Sequence, residues 1–327
     1  MKLGRSWRLK LVMLGALVGL SASGAIAQNT SYPNRAIRII VGFAPGGSND
    51  ILARLLADKL GKSFGEPVIV ENKPGAGGGL AATYVKSQPA DGYTLLVGAS
   101  GAMVVGPAIG APASYDTLRD FDPVSILGTF PLLLVVNSES PHKSLKDLVA
   151  WSKANPAASN YASSSPTFTL ATELLKLRTG ASMQRVSYRG SNDAVMAVLG
   201  NQVTSAMTDP LPAMPLLKNG KLRALAVTSS DRLSELPDVP TMAEAGIAGA
   251  EAVFWTGLFV PKSTPKDIIG RLEAETRTAM QDPEVRRPLQ ALATDAASSS
   301  PAEFAGRIKS ELKAWSELAK TANVTLE

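Results

Sequence analysis

Cysteine is absent from this 327-residue chain, and histidine occurs once, as His142. The first absence excludes disulfides, thiolate metal sites, a cysteine nucleophile and a lipidated N-terminal cysteine. The second leaves any Ser–His–Asp triad a single candidate base and rules out a histidine-rich metal site. His142 sits in Ser140-Pro141-His142-Lys143, a loop ahead of a capped helix, and reads as a surface histidine. A GxSxG elbow is missing too, because Gly98-Ala99-Ser100-Gly101-Ala102 lacks its last glycine. Acidic residues show no calcium-loop spacing. The cluster Gly75-Ala76-Gly77-Gly78-Gly79 lacks the Lys-Ser/Thr ending of a phosphate loop, and Leu80 stands where GxGxxG needs its last glycine. Cofactors, metals and nucleotides therefore have little to rest on, and carboxylate-only catalysis is the one general enzymatic reading left open.

Basic runs are also scarce once the start of the chain is set aside. Lys2, Arg5, Arg8 and Lys10 precede the apolar stretch Leu11 to Leu20 and the small-residue pattern Ala25-Ile26-Ala27, so residues 1–27 read as a secretory signal. The stretch is too short for a membrane-spanning helix, which needs about 20 apolar residues. The signal takes four of the 33 basic residues and leaves 29 against 28 acidic ones, so the pI near 9.3 belongs mostly to it. Nucleic-acid binding and polybasic membrane attachment lose their support. The expected product is a free soluble protein outside the cytoplasm.

What the chain does contain is an alternation of strand and helix patterns, which argues for α/β layers around largely parallel sheets. Strands are expected at Arg35 to Val41, Pro67 to Asn72, Tyr93 to Gly98, Leu132 to Val136, Val203 to Met207, Leu222 to Val227 and Val253 to Val260. Helix starts are marked by capping-box pairs at Ser144/Asp147, Thr241/Glu244, Thr264/Asp267 and Ser300/Glu303, with Pro265, Pro283 and Pro301 as first helical residues. The size suits two lobes that exchange strands, one over residues 31–127 plus 251–327 and the other over 128–250.

The chemistry concentrates at strand-to-helix junctions. Val41-Gly42-Phe43-Ala44-Pro45-Gly46-Gly47-Ser48-Asn49-Asp50 joins an apolar strand to a helix with Ile51, Leu52, Leu55, Leu56 and Leu60 at helical spacing. Gly46 and Gly47 permit close backbone approach, Ser48 or Asn49 can cap, and the free N–H groups of a helix start favour an anion. The alternative is a glycine turn that merely connects. Ser163, Ser164, Ser165, Pro166 and Thr167 form a second such junction, facing either a ligand or water. Arg189, in Tyr188-Arg189-Gly190-Ser191-Asn192-Asp193, either grips a distal carboxylate or lies on the surface. Asp209, at a strand end, faces the cleft or caps the helix starting near Pro210, and Asp50 serves the helix start or a ligand amine. Ser100 ends the third strand.

These segments, in their order and spacing, resemble the periplasmic solute-binding proteins of tripartite tricarboxylate transporters, the TctC or Bug family. The similarity is carried by YPNRAIRIIVGFAPGGSND, VIVENKPGAGGGLAA, ADGYTLLVG, FDPVSILG, YRGSNDAV with LGNQV, GKLRALAVTS, LPDVPTMAEAG and FWTGLFVPKSTP, and so spans essentially the whole mature chain. The resemblance implies a two-lobe type II clamshell, each lobe a mixed, mostly parallel sheet flanked by helices. It implies a monomeric periplasmic receptor, not an enzyme, that needs no cofactor. Such a receptor closes on a small organic acid or amino acid and delivers it to inner-membrane transporter subunits. Sensing through a receptor kinase uses the same closure, and an extracytoplasmic hydrolase is the third reading. By position, the loop holding Phe43, Ala44, Gly46, Gly47, Ser48 and Asp50 becomes one jaw, with main-chain groups and ordered waters holding a carboxylate against the Ser163 to Thr167 loop. That second loop departs from the commoner family pattern, being shorter and lacking a histidine-leucine pair.

Overall fold

Ile37, Ile39, Ile40 and Val41 carry no exposed surface, as expected of a strand covered on both faces. They lie in β1 (Ile37–Val41), which pairs in parallel with β2 (Val68–Asn72) and with β3 (Thr94–Ala99). The structure is a computed structural model describing residues 32–322; the expected signal over residues 1–27 lies outside these. β4 (Phe121–Pro131), β10 (Val253–Pro261) and the two-residue β11 (Asp295–Ala296) complete a six-stranded sheet in the order β11-β4-β10-β3-β1-β2. A second sheet, in the order β7-β6-β8-β5-β9, is built from β5 (Leu133–Asn137), β6 (Asn160–Ser163), β7 (Gln184–Ser187), β8 (Ser205–Thr208) and β9 (Leu222–Val227).

Both sheets are mixed, and antiparallel pairing is more prominent than the sequence pattern suggests. β10 runs antiparallel to β3 and β4, and β5 runs antiparallel to β8 and β9. The cause is topological. β10 carries the chain back from the second sheet and enters the first from the opposite end. The sheets are joined at Leu132, between β4 and β5, and through residues 228–252, between β9 and β10. A small hydrogen-bond cluster ties these crossings together. The Leu132 N–H donates to Thr228 Oγ1 at 2.8 Å, the Thr228 hydroxyl donates to Ala252 O at 2.8 Å, and the Ala252 N–H donates to Thr228 O at 2.8 Å.

Helices cover the sheets, principally α1 (Ser48–Phe64), α2 (Gly79–Lys86), α3 (Leu145–Ala154), α4 (Pro166–Thr179), α5 (Ser191–Leu199), α6 (Pro210–Lys218), α7 (Lys266–Gln281), α8 (Pro283–Gln290) and α9 (Pro301–Ala322). Among the described residues no helix is long and apolar enough to cross a membrane. Ser144 and Asp147 form the reciprocal capping box at α3, and Ser300 exchanges the same bonds with Glu303 at α9. The Thr241/Glu244 pair makes its reciprocal bonds but encloses only a turn, ended by Gly246 at φ +91°. Thr264 is not a cap at all. Its hydroxyl donates to Pro261 O at 2.8 Å, and Pro265 takes the N-cap position of α7.

The first sheet's core gathers Phe121, Trp255, Phe259 and, from α9, Phe304. Phe304 lies edge-on to Trp255 at 4.8 Å between centroids and against Phe259 at 5.1 Å. Trp255 is fully buried, and its indole N–H is satisfied by Glu311 at 2.8 Å. A further apolar cluster bridges the two sheets, combining Phe130 and Phe254 with Leu132, Tyr161, Phe168 and Met207.

Gly257 is the point on which α9 rests, since a methyl group there would collide with the Phe304 ring. Gly257→Val is expected to destabilise the fold by about 1–3 kcal/mol, the usual penalty for overpacking. Urea titration should show a lower midpoint at unchanged slope; an unshifted midpoint would mean that α9 does not lean on β10 as described.

Candidate functional site

The turn from β1 into α1 is held by the helix's own first turn. Asp50, buried, accepts the Gly46 N–H at 3.0 Å, the Asn72 amide at 2.9 Å and both Arg54 donors at 2.9 and 3.0 Å. Burial pushes the Asp50 carboxyl up, but Arg54, the Gly46 N–H and Asn72 outweigh it and hold the pKa below its ordinary value. Gly46 takes the left-handed conformation at φ +88°, which a side chain would strain. Gly47 is the N-cap of α1 with no side chain to serve it, and Ser48 Oγ is buried without a partner.

Three junctions of the second sheet repeat this form. β6 passes through Ser164 to Ser165, whose hydroxyl oxygen accepts the Phe168 N–H to cap α4, with Pro166 as the first helical residue. β7 leads through Arg189 and Gly190 into α5, and β8 leads through Asp209 into α6. Strand ends and helix starts thus converge, as at the carboxyl edge of α/β sheets generally.

The junctions of the two sheets meet directly. The Ala44 N–H donates to Arg189 O at 3.1 Å. A methyl group on Gly47 would stand 2.6 Å from Ser191 Oγ, and one on Gly101 would stand 2.7 Å from Thr167 Oγ1. Between these contacts lies a small cavity. One wall combines Ser100 with Ser164, Ser165 and Thr167; another combines Gly47 and Asn49 with Ser191 and Asp209. Phe43 and Phe168 line it, together with Phe130 and Phe254, a directly paired couple on β4 and β10, and Trp255. Phe43, Ser164 and Ser165 also border an outer recess walled by Gly75–Gly78 and the exposed Arg185 and Arg189.

The cavity carries no cationic side chain, and Asp209 is its one ionisable group. Ser164 Oγ, Thr167 Oγ1 and Asp209 Oδ1 are all buried without a hydrogen-bond partner among the described residues. A buried polar atom left unpaired costs about 1–3 kcal/mol, and the cost is greater for a charged one. Asp209 Oδ2 accepts the Ser191 hydroxyl at 3.2 Å. Burial pushes the carboxyl up to about 6, against the opposing influence of Ser191, of the Ser48 hydroxyl and N–H close by, and of Thr208.

Residues 52–324 match the family described as the tripartite tricarboxylate transporter family receptor, TctC. The chain belongs to this family. Among its relatives, the protein BugT of Bordetella pertussis is 36% identical, with 97% of this chain and 98% of BugT covered. A solved periplasmic transporter, 36% identical, superposes at a TM-score of 0.87 over 91% of this chain and all of its own. MatC from Rhodopseudomonas palustris, solved with bound malate, is 32% identical, with a TM-score of 0.84 over 88% of this chain and 99% of its own. An R. palustris protein solved with adipate is 31% identical, with a TM-score of 0.85 over 90% and 99% of the two chains. Family and fold are those of substrate-binding proteins.

Within this TctC-family chain, seven of the residues expected at the site line the cavity: Phe43, Gly47, Ser100, Ser164, Ser165, Thr167 and Asp209. Ala44 and Gly46 instead meet the opposing loop, and Ser48 sits behind the wall beside Asp209. Asp50 is spent on its own loop. Ser163 bonds Thr169 Oγ1 at 2.8 Å and borders only the outer recess, as does Arg189. Asp209 makes no capping bond to α6. Sequence reasoning passed over Ser191 and the aromatic residues of β4 and β10. His142 is not a surface residue: it is buried against Trp151, at 4.8 Å between ring centroids, and lies outside the cavity. Burial there lowers its pKa.

Two expectations arise from this geometry. Gly47→Val should keep the two loops apart, giving a larger radius of gyration in small-angle scattering at unchanged circular dichroism; wild-type compactness would contradict the close approach. The second concerns pH. A carboxyl whose folded pKa is raised from 3.8 to about 6 binds its proton more tightly in the native state, so its contribution to stability falls as pH rises from about 4 to about 6 and stays low above. No other ionisable side chain lines the cavity. Asp209→Asn should therefore be more stable than wild type at pH 7.5, by roughly 1–3 kcal/mol. The gap should close near pH 4, and an equal gap at both pH values would show that the carboxyl is not destabilised by burial.

Proposed function

We propose that this protein is an extracytoplasmic receptor that captures a small carboxylate by closure of two lobes and passes it to the membrane subunits of a tripartite tricarboxylate transporter. One lobe follows the first sheet, ending at Pro131 and resuming at Val253, and the other follows the second sheet. The Leu132–Thr228–Ala252 cluster is the hinge between them. The observation that carries the reading is the cavity itself, closed between helix starts from both lobes and furnished with unpaired buried hydroxyls. Free N–H groups at helix starts and hydroxyl donors suit a carboxylate without a cation. Closure then follows from binding, because only the closed form touches the ligand from both sides.

The relatives solved with malate and adipate lend the same chemistry. The signal pattern of residues 1–27 supports release into the periplasm. Binding without turnover is supported by the position of His142, which is stacked on Trp151 and does not border the cavity.

Trp255 lines the cavity and gives an internal reporter. Fluorescence titration and calorimetry against mono-, di- and tricarboxylates, amino acids and aromatic acids should identify a ligand that perturbs this tryptophan. A response to a sugar or metal ion, with silence from every acid, would refute the carboxylate reading.

A further inference from the structure

Asp209 has none of the usual reasons for a carboxylate to be buried. It is 1% exposed, forms no ion pair among the described residues and makes no capping bond to the helix it precedes. Its Oδ2 accepts the Ser191 hydroxyl at 3.2 Å, its Oδ1 has no hydrogen-bond partner among the described residues although the Ser48 hydroxyl and N–H lie close by, and the residue borders the cavity. An ionised carboxyl only accepts hydrogen bonds, so what Oδ1 lacks is a donor. Two other polar groups of the cavity are free to supply one. The Ser164 and Thr167 hydroxyls are unpaired and available to donate, and they stand at the start of α4, whose dipole favours an anion.

The cavity is therefore two-ended. Asp209, beside Ser48, already sets a carboxyl near the start of α1, and a ligand carboxylate placed there would meet like charge. The ligand's carboxylate is better accommodated by the Ser164 and Thr167 side, which leaves Asp209 to whatever else the ligand carries. Resting on the carboxylate reading above, we propose that Asp209 is a specificity-determining acceptor for an N–H or O–H donor on the ligand, so that the site takes amino- or hydroxy-substituted carboxylates in preference to the bare acids. A site built around a buried hydrogen-bonding group rejects the analogue that leaves it unpaired.

Matched acids that differ by one substituent test this: propanoate, lactate and alanine; succinate, malate and aspartate; 3-phenylpropanoate, phenyllactate and phenylalanine. In calorimetry at pH 7.5, the amino or hydroxy member of at least one series should bind ten-fold or more tighter than its bare acid. Asp209→Ala should abolish that preference, so that the substituted and bare acids of the series bind alike. Asp209→Asn, which keeps an acceptor but no charge, should weaken an amino acid ten-fold and a hydroxy acid only a few-fold, and it carries the test if the alanine variant does not fold. Bare acids binding as tightly as their substituted partners, or a preference that survives in Asp209→Ala, would overturn the assignment while leaving the carboxylate receptor intact. Failure of every acid in all three series would refute the carboxylate reading and this inference with it.

Discussion

The antiparallel pairing of β4 with β10 is the constraint on which the rest of the molecule depends. One strand leaves the first sheet at Pro131 and the other enters it at Val253, so both crossings to the second sheet leave from one edge. Val253 is opposite Pro131 in the register, and Phe254 is opposite Phe130. The Thr228 hydroxyl bonds into both crossings and ties them together. The same two strands supply the aromatic floor of the cavity. The bonded crossing at Leu132, Thr228 and Ala252 thus lies within two residues of Phe130 and Phe254, which line the cavity.

Around this axis the site is assembled from main chain more than from side chains. Gly47 against Ser191, Gly101 against Thr167, and the Ala44–Arg189 backbone bond bring opposing loops to van der Waals distance. Side-chain chemistry is confined to hydroxyls, an amide and one carboxyl. That choice matters electrostatically. Helix starts and hydroxyls present partial charges that are fixed by the fold and need little reorganisation, whereas an arginine would bring a full charge whose burial needs a partner even when the site is vacant. Asp209 is the exception, a full carboxyl whose burial pushes its pKa up.

Sequence was most legible where structure is local. The strand-glycine-helix turn at Phe43 to Asp50, the serine junction before Pro166, and Asp209 at a strand end are each defined within about ten residues, and each was recognisable from spacing. The aromatic floor was not, because which faces of Phe254 and Trp255 point inward depends on register with a strand more than 100 positions away and on the irregularities near Gly257. β4 itself escaped notice since Pro123 and Gly128 interrupt its alternation. Asp50 was ambiguous for a related reason. Arg54 lies one helical turn on and was visible, but Asn72, from a neighbouring strand, completes the bonding that turns the carboxyl away from the cavity.

The position of β10 between β3 and β4 has a kinetic side. Ala99 pairs with Thr256, and the Phe304 ring that packs beneath comes later still. The centre of the first sheet therefore cannot close until the last quarter of the chain is available, and the loop closed in doing so is long. β1, β2 and β3 alone would present an unpaired apolar edge along Thr94–Ala99. In this strand order β3 keeps that edge open until residues 253–261 of β10 join it, so the first sheet is completed by a part of the chain that follows the whole of the second.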